Sequence, residues 1–258
     1  MSDAWVALRR FTQARIALGR AGHAVPTRAQ LEFQLAHAQA RDAVHLPWNL
    51  ESFAEHARGL GEEVLILESQ VGDRDAYLRR PDLGRVLSAG SRARLAERPA
   101  RPADVALIIT NGLSSTAVDR HGLPLLRAIV QACRSQSLHL APISLVANGR
   151  VALSDDIGSA LRAKVAVIVV GERPGLSAAD SLGLYLTFAP RPGNTDAQRN
   201  CISNIRPPEG LGYEAAAAKL LYLTGETLRR GLSGVTLKDE MPGLRGAAAL
   251  NVLRNGET

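Results

Sequence analysis

Two apolar runs that end in Pro/Gly turns constrain this fold more than any other feature of the sequence. The first run, residues 164–170, reads KVAVIVV and stops at the turn GERPG, and the second run covers residues 182–189. Short, continuous apolar runs are typical of strands buried on both faces of a parallel sheet. The first run therefore places the carboxylate of Glu172 at the carboxyl end of a buried strand, where open α/β sheets bind their ligands.

The chain from residue 104 onwards alternates between strand and helix patterns. Short apolar runs predict strands, and apolar residues at helical spacing predict helices. Strands that alternate with helices predict an α/β fold with a doubly wound, mostly parallel sheet. The predicted strands are residues 105–109, 139–146, 164–170 and 182–189, and the predicted helices are residues 122–136 and 213–230.

The dipeptide Asn148-Gly149 follows the second predicted strand. Asn-Gly is typical of a tight hairpin turn, and we expect the chain to return through residues 150–153. A short helix is expected next, capped by the side chain of Ser154 or Asp155.

The first hundred residues are predicted to be mainly helical. Residues 4–20 have helical spacing, and residues 27–30 (TRAQ) match a capping box at the start of another helix. A short strand is possible at residues 64–67, and a Pro-rich linker at residues 98–102 precedes the α/β region. The predicted organisation is a helical region at 1–100, a ligand-binding α/β domain at 101–240 and a variable tail at 241–258.

Composition argues against several classes of protein. The net charge is +6, but arginines and acidic residues are interleaved without a long basic run, so we expect no nucleic-acid binding. Two cysteines provide no disulfide framework and fit a reducing compartment. No signal peptide or membrane-spanning segment is expected, which predicts a cytoplasmic protein. The histidines and cysteines lack metal-ligand spacing, and no catalytic set can be assembled, so neither kind of residue is assigned.

Two glycine-containing loops partly match ligand-binding motifs. Residues 111–116 (NGLSST) follow a predicted strand, and they fit either a ligand-binding loop or an ordinary turn with a helix cap. Residues 210–215 match the dinucleotide fingerprint formally, but the Pro-rich residues 206–209 precede them in place of a strand, so we interpret them as a helix start. Patterns alone therefore indicate an α/β protein whose carboxyl edge faces a ligand.

Six blocks stand in one order along the chain: ARIALGRAG (14–22), YLRRPDLGR (77–85), NGLS (111–114), NGRV (148–151), VVGERPGL (169–176) and CISNI (201–205). Together they closely resemble the small subunit of adenosylcobalamin-dependent ethanolamine ammonia-lyase. The resemblance extends from about residue 7 to about residue 238, and the last two blocks together are specific to that family.

The resemblance implies a Rossmann-like fold and a subunit of a lyase that converts ethanolamine to acetaldehyde and ammonia by radical chemistry. It implies adenosylcobalamin as cofactor and a large subunit as partner in a hetero-oligomer, without which this chain is inactive. The large subunit would hold the substrate, and this chain would cover the cobalamin. The family's cofactor contacts fall on Val151, Glu172 and Cys201. Packaging in a bacterial microcompartment is left open.

The segment Asp119-Arg120-His121-Gly122 partly matches the D-x-H-x-x-G box of cobalamin carriers, whose histidine binds cobalt. Position 124 is proline, so the last glycine of that box is missing, and we interpret the segment as a plain loop. This agrees with the resembled family, which keeps the cofactor's own dimethylbenzimidazole as lower ligand. No protein ligand to cobalt is expected.

Two alternatives to the cobalamin subunit remain. A stand-alone nucleotide-binding or flavodoxin-like oxidoreductase module would bind its ligand without a partner. A basic scaffold or RNA-binding protein would show clustered arginines and binding that weakens steeply with salt.

Overall fold

A six-stranded sheet forms the centre of the fold. The computed structural model describes residues 5–99 and 101–241 of the chain. The strands are β1 (Val64–Glu68), β2 (Ala103–Thr110), β3 (Ile143–Ala147), β4 (Ala163–Gly171), β5 (Leu182–Phe188) and β6 (Arg199–Ile205).

The sheet is mixed, with the strand order β1-β3-β2-β4-β5-β6. The strands β1, β3, β2 and β4 are parallel, whereas β5 is antiparallel to both β4 and β6. The expected α/β class is confirmed, but the sheet is less uniformly parallel than "doubly wound" implies. Residues 172–181 join β4 to β5 without a helix, and a parallel pair would have needed a crossover connection.

Helices cover both faces of the parallel part of the sheet. The helices are α1 (Thr27–His45), α2 (Leu50–Arg58), α3 (Arg74–Arg79), α4 (Ala89–Ala96), α5 (Ser115–Ala117), α6 (Leu123–Ser135), α7 (Leu153–Ala160) and α8 (Tyr213–Arg230). Alternate side chains of β2 enter two different cores: Val105, Leu107 and Ile109 pack with α2, α6 and α8, whereas Ala106 and Ile108 pack with α4 and α7.

The strands β5 and β6 present different chemistry on their two faces. Leu184 and Ile202 belong to the core beneath α6 and α8. Tyr185, which pairs with Cys201 across the strands, lies on the opposite face because successive side chains alternate. Cys201 and Ser203 are exposed there. This second face is therefore polar and accessible beside the carboxyl edge of the sheet.

The hairpin expected at Asn148-Gly149 is wrong. The chain turns there and enters α7 at Leu153, so the turn begins a crossover between the parallel strands β3 and β4. Gly149 N–H donates to Thr110 Oγ1 (2.9 Å), and Arg150 N–H donates to the Gly84 carbonyl (2.8 Å). These long-range bonds hold the turn against neighbouring elements and prevent a returning strand.

The helix cap expected in this region is also wrong. Ser154 and Asp155 lie inside α7, and Ala152 occupies the N-cap position without a side-chain bond. The Ser154 hydroxyl instead donates to the Val151 carbonyl (2.8 Å). The strand before the turn begins at Ile143, and Leu140 contributes only an isolated bridge to Val105.

The N-terminal helices are only partly as expected. Within residues 5–20, Val6–Phe11 form a 3-10 helix, and positive φ angles at Ala17 (52°) and Gly19 (79°) take the following backbone out of helical geometry. The helix α1 exists, but Pro26 is its N-cap and no side chain caps it, so the capping box is wrong.

The division of the chain near residue 100 stays a prediction. The strand β1, from the N-terminal side of that division, pairs with β3 and is part of the common sheet. Of the predicted tail at 241–258, all but Met241 lies outside the described residues. None of the helices in the described part of the chain combines the length and apolarity needed to cross a membrane.

Candidate functional site

A cleft of about 560 Å³ opens beside the turn between β3 and α7 and the polar face of β5 and β6. Val151 and Cys201 line it together, although 50 residues separate them in the sequence. Tyr185 forms part of the wall between them. The cleft also has three arginines in its lining, Arg85, Arg150 and Arg199.

Glu172 follows β4, as predicted, and its side chain is held in one orientation. Its carboxylate accepts hydrogen bonds from the hydroxyls of Ser181 (2.6 Å) and Ser203 (2.5 Å) and from Asn204 N–H (3.4 Å). A Cβ atom on Gly183 would lie 2.8 Å from Glu172 Oε1, so a larger residue there would push the Glu172 side chain out of this orientation. Glu172 is outside the cleft lining but contacts the strand that carries Cys201.

Cys201 is exposed on β6, directly opposite Tyr185 on β5. Burial raises the pKa of Cys201, and the nearby Glu172 carboxylate acts in the same direction. Burial also raises the pKa of Tyr185, with Cys201 and Glu172 adding to the shift. Both groups are therefore neutral near pH 7, which suits packing and weak polar contacts and does not suit a nucleophile.

Val151 is half-buried in the turn before α7. Its carbonyl accepts the Ser154 N–H (3.1 Å) and hydroxyl (2.8 Å). Its own N–H makes no hydrogen bond with the described residues. This free N–H in the lining of the cleft is therefore available to a carbonyl group of a ligand.

The loop at residues 111–116 is hydrogen-bonded to the turn at Asn148 and to the segment at Ala179. Asn111 Oδ1 accepts the Asn148 N–H (2.7 Å), and the Ser114 hydroxyl donates to the Ala179 carbonyl (2.9 Å) while accepting from Ala117 N–H as an N-cap. Asn111, Ser114 and Ser115 are all buried. Of the two interpretations left open by the sequence, the structure supports the turn with a helix cap.

Three residues near the cleft were not predicted as site residues, although Tyr77 and Arg150 lie in blocks shared with the family. Tyr77 is fully buried and donates its hydroxyl to the Gly149 carbonyl (3.1 Å). Arg74 joins separate loops by donating to the carbonyls of Val44 (2.8 Å) and Gly112 (2.6 Å). Arg150 stacks on the Tyr77 ring, 4.2 Å from its centroid. These contacts join distant parts of the chain, and only a known tertiary arrangement reveals them.

The segment Asp119–Gly122 lies in a π-helical turn, Val118–Gly122, and the plain loop expected there is wrong. His121 is buried, with Nδ1 2.8 Å from the Tyr213 hydroxyl and Nε2 3.4 Å from Asp180. Both ring nitrogens thus have protein partners. The interpretation of residues 210–215 as a helix start is confirmed, because α8 begins at Tyr213 with Gly212 as its N-cap.

Comparison with known proteins identifies relatives over nearly the whole chain. The family model described as ethanolamine ammonia-lyase light chain matches residues 2–238. The chain belongs to this family. The expected resemblance is confirmed, and the chain is a subunit of an ammonia-lyase. Its membership does not favour the nucleotide-binding alternative.

Curated relatives named ethanolamine ammonia-lyase small subunit support the same conclusion. The protein from Ralstonia nicotianae is 56% identical over 238 residues, covering 91% of this chain and 88% of that protein. The protein from Azotobacter vinelandii is 56% identical over 239 residues, covering 92% and 88%. The protein from Pseudomonas aeruginosa is 54% identical over 239 residues, covering 92% and 87%. The range matched by the family model includes every residue of the candidate site.

Proposed function

We propose that this chain is the small subunit of an ethanolamine ammonia-lyase that converts ethanolamine to acetaldehyde and ammonia with adenosylcobalamin. In this proposal the large subunit holds the substrate, and this chain covers the cobalamin. The observation that carries the proposal is the cleft shared by Val151 and Cys201, with the oriented carboxylate of Glu172 beside it. These are the three positions that the family resemblance assigns to the cofactor.

The groups present fit a corrin cofactor. Corrin side chains end in amides, which both donate and accept hydrogen bonds. The Val151 N–H has no partner among the described residues, so it can donate to an amide carbonyl. The Glu172 carboxylate has four acceptor sites and uses three for protein donors, which leaves one for an amide or ribose hydroxyl. The exposed Cys201 provides a neutral packing surface.

When bound, adenosylcobalamin supplies a carbon-centred radical by homolysis of its cobalt–carbon bond. The residues of this chain bind and orient the cofactor's periphery. We assign no catalytic residue and no cobalt ligand here, and both nitrogens of His121 already have protein partners. Helices on both faces of the four parallel strands support the Rossmann-like relationship proposed for this fold.

The first test is ammonia release from ethanolamine with added adenosylcobalamin. We expect no activity from this chain alone and full activity when it is co-expressed with a large subunit from a related bacterium, because the cleft holds the cofactor groups without a substrate site. Co-purification of the two chains is measured in parallel. Co-purification without activity, or activity of this chain alone, would contradict the proposal that the large subunit holds the substrate while this chain covers the cobalamin.

The second test concerns Glu172. Glu172→Ala should weaken adenosylcobalamin binding to the assembled enzyme by about ten- to hundredfold, since one hydrogen bond to a charged group contributes about 1.5–3 kcal/mol. Binding is followed by the change in the corrin absorption spectrum during titration. Glu214→Ala is the matched control, because Glu214 is exposed on α8. Equal affinity of both variants and the wild type would remove Glu172 from the cofactor site.

A further inference from the structure

Two of the three arginines that line the cleft have no carboxylate partner among the described residues. Arg199 is neutralised by Asp155, whose Oδ2 lies 2.6 Å from Arg199 Nη2. Arg85 and Arg150 take part in none of the ion pairs of the described chain. The acidic residue in the lining, Asp196, is 95% exposed and lies beside Arg199. The cleft therefore carries uncompensated positive charge.

Arg150 is the better positioned of the two. Its guanidinium stacks on the buried ring of Tyr77 and makes one long hydrogen bond, from Nη2 to the Tyr77 carbonyl (3.4 Å). Its Nε–H is buried and has no acceptor in the described residues. Arg74 stacks on the same ring at 4.9 Å and adds a second positive charge. A guanidinium has five donors, so most of the capacity of Arg150 is unused.

Such an arrangement favours an anion over a cation or a neutral group. Partly buried charges are stable when they are paired, and guanidinium groups bind phosphate oxygens bidentately. The substrate ethanolamine is a cation at neutral pH, so the cleft would repel it. Cobalamin carries one phosphodiester, in the tail that joins the corrin to dimethylbenzimidazole.

We infer that Arg150, assisted by the more exposed Arg85, binds the phosphodiester of the cobalamin nucleotide tail. The inference rests on the proposed function and adds to it the part of the cofactor that faces this cleft. Stacking on Tyr77 holds the guanidinium plane of Arg150 in place before binding, which lowers the entropy lost when the phosphate is bound. Val151, the next residue, then lies within reach of an adjacent corrin amide.

The test compares two ligands that differ by the phosphate alone, adenosylcobinamide and adenosylcobinamide phosphate, on the enzyme assembled with its large subunit. Equilibrium affinities are measured by spectral titration. We expect the wild type to bind the phosphate-bearing ligand more tightly, and Arg150→Met to reduce that advantage about tenfold while leaving adenosylcobinamide affinity unchanged. Methionine keeps an apolar stem on the Tyr77 ring. Arg150→Lys should retain part of the advantage, because it keeps the charge but loses the bidentate donor pair.

Arg127→Met is the control, since Arg127 is exposed on α6, which packs on the other face of the sheet. Equal loss of affinity for both ligands in Arg150→Met would show that Arg150 only supports the fold, and would overturn the inference. An unchanged phosphate advantage would overturn it as well. In either case, wild-type binding of adenosylcobalamin would leave the proposed function standing. A wild-type assembly that binds none of these corrinoids would overturn both.

Discussion

Arg199→Ala is expected to lower the free energy of unfolding by roughly 3–5 kcal/mol, because it leaves the Asp155 carboxylate buried without a countercharge. The two side chains are only 2% and 3% exposed. Arg199 donates to both carboxylate oxygens (3.0 and 2.6 Å), to Thr187 Oγ1 (2.9 Å) and to the Asn194 carbonyl (3.1 Å). The pair joins β6 to α7 and so connects the two walls of the cleft.

Urea unfolding of the wild type and the variant measures this effect. The double variant Arg199→Met, Asp155→Leu should recover most of the stability, since an apolar pair of similar volume needs no desolvation. Arg229→Ala, which removes an exposed partner of Glu226 on α8, is the control and should leave the unfolding midpoint unchanged. If Arg199→Ala resembled this control, removing the guanidinium would not leave a costly unpaired charge at Asp155, and the prediction would be wrong.

Gly171→Ala is expected to destabilise the fold by about 3 kcal/mol and to displace Glu172. A Cβ atom on Gly171 would lie 2.2 Å from the Ser114 carbonyl oxygen and 2.4 Å from that of Asn111. Both are backbone atoms, so a rotamer change cannot relieve the overlap, and the loop after β2 must move away from β4. Because Glu172 is the next residue, its bonds to Ser181 and Ser203 should weaken with that movement.

Two measurements are needed for Gly171→Ala: the urea midpoint of the chain, and adenosylcobalamin affinity of the assembled enzyme. Both should fall. The control is Gly225→Ala on α8, where a Cβ would meet no atom within 4 Å and alanine is the better helix former. That variant should be neutral or slightly stabilising with unchanged affinity. Wild-type behaviour of Gly171→Ala would show that the loop after β2 tolerates the shift.

The strands and helices with continuous or periodic apolar residues were predictable from the sequence. The predicted strands at 105–109, 164–170 and 182–189 correspond to β2, β4 and β5, and the predicted helices correspond to α6 and α8. The strand β6 was missed because Ile202 and Ile205 are its apolar core residues and its other side chains are mainly polar. Burial on both faces leaves a strong local pattern, whereas an edge strand that is half polar does not.

The α/β class, the position of Glu172 at the end of β4 and, through its specific blocks, the family can all be inferred from the sequence alone. Tertiary structure decided the direction of β5, the crossover at Asn148-Gly149 and the cleft that joins Val151 to Cys201. It also decided which arginines are paired, because Asp155 is 44 residues from Arg199 in the chain. Local patterns report which residues are buried, but pairing of charges and closure of a cleft depend on contacts between residues far apart in sequence.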